Sequence, residues 1–103
     1  MEKTISILMK ARERISNPYD WNAREAIRLA TGKSEFATEN KQADKAIAQL
    51  NKRAKGMNLY HDQFTHEEII RLFDDTIESL IAWENFKKWR RENGFYRNYG
   101  FFS

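Results

Sequence analysis

Cysteine is absent from this chain of 103 residues, proline occurs once and glycine four times. Without a thiol there is no disulfide, no thiolate nucleophile and no zinc–thiolate site. So few turn-formers leave little material for a β-sandwich, whose short strands need frequent reversals. Long apolar runs are also missing, and nothing approaches the roughly 20 apolar residues of a membrane-spanning helix. The opening "MEKTISILMK" carries charge at both ends of a short apolar middle, too short for a secretory signal. These absences predict a small, reduced, cytoplasmic domain.

What is present suits a globular helical protein. Hydrophobic residues make up 41% of the chain and charged ones 32%, in 12.3 kDa. That is enough for one modest core under a well-solvated exterior. The net charge of +3 is unevenly spread. Residues 1–58 and 84–103 are basic, while 59–83 hold one arginine against six acidic residues. An acidic waist between basic ends suits pairing within the protein at least as well as binding to a polyanion.

Apolar spacing predicts four helices. The first spans Thr4 to Ile15, with Ile5, Leu8, Met9 and Ile15 inward, and ends before Pro18. A second runs from about Asp20 or Trp21 to Ala30, with Asp20 as N-cap and Gly32 as its stop. Pro18, Tyr19 and Trp21 form an apolar corner beside it. The third begins at Thr38 or Asn40, runs to about Ala54 and buries Ala43, Ala46, Ile47, Leu50 and Ala54. The fourth has the clearest start: Thr65-His66-Glu67-Glu68 is a capping box, flanked by Phe64 and Ile69 as a hydrophobic staple. Ile69, Ile70, Phe73, Ile77, Leu80 and Ile81 make its apolar stripe, and nothing stops it before Asn93-Gly94.

That length poses a geometric question. At about 100° per residue, Phe86 falls opposite Ile77, with Trp83 and Trp89 to either side of Phe86. Either the helix breaks near Glu84-Asn85, or it continues and turns an aromatic stripe away from its own core.

Sites for chemistry are few. His61-Asp62 and His66-Glu67 invite a metal, but "HEEII" lacks the second histidine of HExxH, and solvated or capping side chains are expected instead. Asp74, Asp75 and Glu78, with Arg71 a turn earlier, read as a solvated charged face rather than an acid/base pair. No motif joins a nucleophile to a base, and no glycine-rich loop cradles phosphate. No enzyme activity, cofactor or metal is expected. A small hydrolase or metal enzyme around His61 and Asp62 is the weakest alternative.

The sharpest feature is "WENFKKWRRENGFYRNYGFFS", residues 83–103, with eight aromatic rings among five Lys or Arg. Three readings stand open. The segment after the helix folds back and completes the core; or the region is a docking or self-association surface, since Trp, Tyr and Arg concentrate interface energy; or it stacks on single-stranded nucleic acid, with Lys87, Lys88, Arg90, Arg91 and Arg97 on the phosphates.

The order "ARERISNPYDW", "AIAQLNKRA", "LYHDQFTHEEIIRLFDDTIE" resembles a family of short helical proteins from phage and actinobacterial genomes. The shared pattern is A-x3-I-x2-P-x2-W, an alanine-rich helix, then an aromatic-x-D loop before T-H-x2-[VI]. Ala11, Ile15, Pro18, Trp21, Asp62, Thr65, His66, Ile69, Phe73, Asp74 and Ile77 match it. The resemblance covers roughly residues 8 to 80 and leaves out the aromatic tail. The chain departs from it at "FATENKQADKAI", which lacks the family's C-A-L-G-A-like helix start. The family has no assigned activity, so the resemblance implies a small helical, phage-borne protein and no mechanism.

Together these readings predict an all-α, compact four-helix domain over residues 1–93, its last helix the longest, followed by an aromatic-basic tail at 94–103. The expected role is a non-enzymatic module that binds a protein partner or itself through Trp83, Phe86, Trp89, Arg90, Arg91, Phe95, Tyr96, Arg97 and Tyr99. On the family resemblance this would be a phage-encoded accessory or host-directed inhibitor. Nucleic-acid binding by the same segment is the alternative.

Overall fold

A computed structural model describes residues 1–19, 22–33, 39–54 and 64–92. Within them the chain forms four α-helices and no strand: α1 (Glu2–Arg14), α2 (Ala23–Ala30), α3 (Lys41–Arg53) and α4 (His66–Glu92). The predicted stretches at Asp20 and Trp21, Phe36 and Thr38, Gly56, the loop with His61 and Asp62, and the tail from Asn93 onward lie outside the described residues.

The helix starts are set by side chains that satisfy free amides. Asn22, rather than the expected Asp20, caps α2 through an Oδ1 that accepts from Glu25 N. Asn40 caps α3 in the same way, accepting from Ala43 N at 3.1 Å. At α4 the capping box is complete: Glu68 N donates to Thr65 Oγ1 at 3.1 Å, and Thr65 N to Glu68 Oε1 at 2.8 Å. Phe64, just before the box, packs against the core that Ile69 enters. Gly32 follows α2 with φ of +86°, a conformation that only glycine adopts without strain.

The centre of the fold is α1, which packs against all three other helices. Its buried arc is therefore wide, taking in Thr4, Ile5, Ile7, Leu8, Ala11 and Ile15. Ile7 is buried and Met9, expected inward, is 53% exposed, because the three-way packing rotates the buried arc toward Ile7 and away from Met9. α2 rests on α1 and α3 and meets α4 only marginally, so α1 and α3 are the helices that pack on α4. Alanines 11, 23, 26, 43 and 46 line the helix interfaces, and Leu8, Ile27, Leu50, Ile69 and Phe73 fill the space between them. Small side chains let the backbones approach, and the few large ones supply most of the buried apolar area.

Polar ties fix how the helices meet. Asn40, 5% exposed, also donates through Nδ2 to Thr31 Oγ1 at 2.9 Å, while that hydroxyl donates to Arg28 O. One side chain thus joins the end of α2 to the start of α3. His66 places Nε2 2.6 Å from the carbonyl oxygen of Ile15, tying the first turn of α4 to the end of α1. Arg12 forms a two-pronged contact with Asp74, Nε to Oδ1 at 2.9 Å and Nη2 to Oδ2 at 3.3 Å. Tyr19 is 95% exposed and takes no part in the apolar corner expected around it. Its amide donates to Asn17 Oδ1, a turn that leaves the ring outside.

Candidate functional site

α4 is unbroken over 27 residues. Its core face consists of Ile69, Phe73, Thr76 and Leu80. Relative to Ile77 this face is rotated by about 70° toward Thr76, at about 100° per residue. Ile77 and Ile70 accordingly sit at its margin, and Ile81 is 40% exposed rather than inward. The cause is the position of α4, which faces α1 along one edge and α3 along the other.

Leu80 is the last buried residue of α4. One turn later Glu84 pairs with the N-terminal ammonium of Met1 at 2.9 Å and with Lys87 at 3.4 Å. The ammonium, then Lys87, hold the Glu84 carboxyl below its ordinary value, against partial desolvation. Ionic pairing therefore takes over where the apolar core ends. From Asn85 to Glu92 every residue but Lys87 is exposed. These two turns carry α4 about 12 Å past Glu84.

On this projecting end Trp83, Phe86 and Trp89 are 49%, 45% and 50% exposed. Spaced by three, they advance about 4.5 Å per step, and their rings stack in a row. Trp83 and Phe86 have centroids 5.7 Å apart at 24°, and Phe86 and Trp89 are 6.3 Å apart at 22°. Lys87 Nζ lies 5.7 Å from the Trp83 ring, and the Arg90 guanidinium 5.9 Å from that of Phe86. Each cation is near enough to be attracted by the ring face. Trp83 also borders a groove of about 340 Å³ between α3 and α4, lined by Met1, Gln49, Lys52, Arg53, Ser79 and Leu80.

Of the expected binding residues, the fold brings Trp83, Phe86, Trp89 and Arg90 into one surface. Arg91 is exposed but lies about 140° around the helix from Phe86. Phe95, Tyr96, Arg97 and Tyr99 lie outside the described residues. Asp75, Glu78, Ser79 and Ala82 share the outward side of α4 with the rings, and all four are exposed. Their helical spacing was visible in the sequence, but small and charged side chains give no hydrophobic signal by which to single them out.

Of the other constellations, three described residues have partners within the fold, while His61 and Asp62 lie outside the described residues. His66 meets the Ile15 carbonyl, Asp74 is paired with Arg12, and Arg71 approaches Glu67 at 3.5 Å. Among the described residues no three His, Cys, Asp or Glu are placed to hold a metal ion. No helix among them is long and apolar enough to cross a membrane. The chain matches no family model, no curated protein and no solved structure.

Proposed function

We propose that this protein is a non-enzymatic interaction module, binding a protein partner or a second copy through the ring-lined end of α4. The observation that carries this reading is the row Trp83, Phe86, Trp89: three large rings, each about half exposed, on a helix that has already left its core. Exposed aromatic surface beside arginine is the composition of interface hot spots. Residues Arg91, Phe95, Tyr96, Arg97 and Tyr99 extend the same basic-aromatic composition along the chain. The resemblance to short phage and actinobacterial proteins is what supports a host-directed accessory or inhibitor role for such a module.

A second reading, single-stranded nucleic acid stacking on the rings, is favoured by the cations beside Trp83 and Phe86. Binding by the wild type and by Phe86→Ala/Trp89→Ala, followed as salt is raised, separates the two. A protein interface is lost in the double variant and weakens much less with salt than a phosphate contact does. Binding to an oligonucleotide that weakens steeply with salt overturns the first reading in favour of the second. Protein binding that survives in the double variant overturns the assignment of the surface.

A further inference from the structure

We infer that the occupant of this surface is a second copy of the chain, docked with its α4 antiparallel to the first; the inference rests on the interaction reading above. Charge is the first argument. Along the outward side of α4 the exposed acidic residues Asp75 and Glu78 precede the rings, with Arg71 a turn earlier paired to Glu67, and the exposed Arg90 follows Phe86. Within this fold neither Asp75 nor Glu78 makes an ion pair among the described residues. A parallel pair would set Asp75 against Asp75 and Arg90 against Arg90. An antiparallel pair sets each acidic end on the other copy's basic end.

Shape supplies a register for that antiparallel orientation. Asp75, Glu78, Ser79 and Ala82 stand at i, i+3, i+4 and i+7, the four corners of a hole on a helix surface. All four are exposed, and two of them are small. With a two-fold axis beside Ala82, Phe86 of one copy drops into that hole on the other. Trp89 then meets the next hole toward the N-terminus, between Arg71, Asp75 and Glu78, and Arg90 reaches Asp75 on the shared flank. The two-fold axis makes every contact twice.

The area sets the strength. A large aromatic side chain exposes about 150–250 Å², so three half-exposed rings offer about 300 Å² per copy. A stable interface buries about 800 Å² per partner, so even with the polar seam added this is a weak, reversible dimer.

Sedimentation equilibrium of the full chain tests this with a charge exchange. The wild type is expected to dimerise reversibly. Asp75→Arg and Arg90→Asp, both at exposed positions, are each expected to weaken the dimer about tenfold. The combined variant is expected to return within about threefold of the wild type, because its pairs are re-formed with reversed sign. A combined variant no stronger than the single ones overturns the antiparallel register. A wild type that stays monomeric at every concentration overturns the second copy as occupant. In that case, loss of binding to another protein on Phe86→Ala/Trp89→Ala leaves the interaction reading standing, and its persistence removes both.

Discussion

Phe73 and Phe86 lie on one continuous helix, thirteen residues and about 20 Å apart, yet Phe73 is fully buried and Phe86 is 45% exposed. They also point about 140° away from each other. The same residue type thus does two jobs on one rod: Phe73 fills the centre of a core lined with alanines, and Phe86 forms part of a surface. Phe73→Ala is expected to cost about 3–5 kcal/mol, a large share of the stability of a small domain. Urea unfolding of the variant checks this. A loss below about 1 kcal/mol would mean that the core closes without this ring.

Asn40 closes two helix ends at once. Asn40→Ala removes the α3 cap and the shorter of the two hydrogen bonds that Thr31 Oγ1 accepts, at an expected cost of about 2 kcal/mol. Asn40→Asp keeps an oxygen for Ala43 N but has no amide to give Thr31, and should recover about half of that loss. Thermal unfolding of both variants tests the ranking. Equal stability for the two would show that the cap to Ala43 contributes nothing.

Thr76 lies fully buried between Phe73 and Leu80 on the core face, with no hydrogen-bond partner for its hydroxyl among the described residues. A buried hydroxyl left in that state is destabilising, and valine has the same shape without it. Thr76→Val should therefore stabilise the protein by about 1 kcal/mol and raise Tm by about 4–8 °C. An unchanged or lowered Tm would mean that the hydroxyl is satisfied in solution.

Glu84 makes acid stability testable. Its carboxyl is held below the ordinary 4.5 first by the N-terminal ammonium and then by Lys87, so the folded state binds this proton less readily than the unfolded chain. The stabilisation it provides is fully present above pH 4.5 and is lost as the pH falls through the depressed folded value. Urea midpoints between about pH 3 and 6 should fall less steeply in Glu84→Gln than in the wild type. Parallel profiles would show that the pairing contributes nothing in solution.

How much of this was legible in the sequence depended on how local the cause was. The Thr65–Glu68 capping box lies within three residues of the amides it serves and was readable, the α3 cap was narrowed to Thr38 or Asn40, and the α2 cap fell on Asn22 rather than Asp20, because neighbouring capping residues compete for one helix start. The unbroken run of α4 past Glu84 and the outward turn of its rings follow from periodicity alone, and one of the two courses left open for the helix is the one observed. The exact buried arcs of α1 and α4 were not readable, because they depend on which neighbours each helix meets. Met9 and Ile81 came out exposed, while Ile7 and Thr76 went in. Nor could sequence join His66 to Ile15, or Asn40 to Thr31, pairings that exist only once the helices are docked.

Equilibrium unfolding of a chain with Trp83, Phe86 and Trp89 all replaced by alanine bears most directly on the claim that these rings form a surface. Alanine favours the helix, which offsets part of the stabilisation that the stacked rings supply to one another. A cost below about 3 kcal/mol is therefore expected, with cooperative folding intact. If the three rings belonged to the core, each would cost about 3–5 kcal/mol and the combined variant would not fold, and that result would contradict the claim.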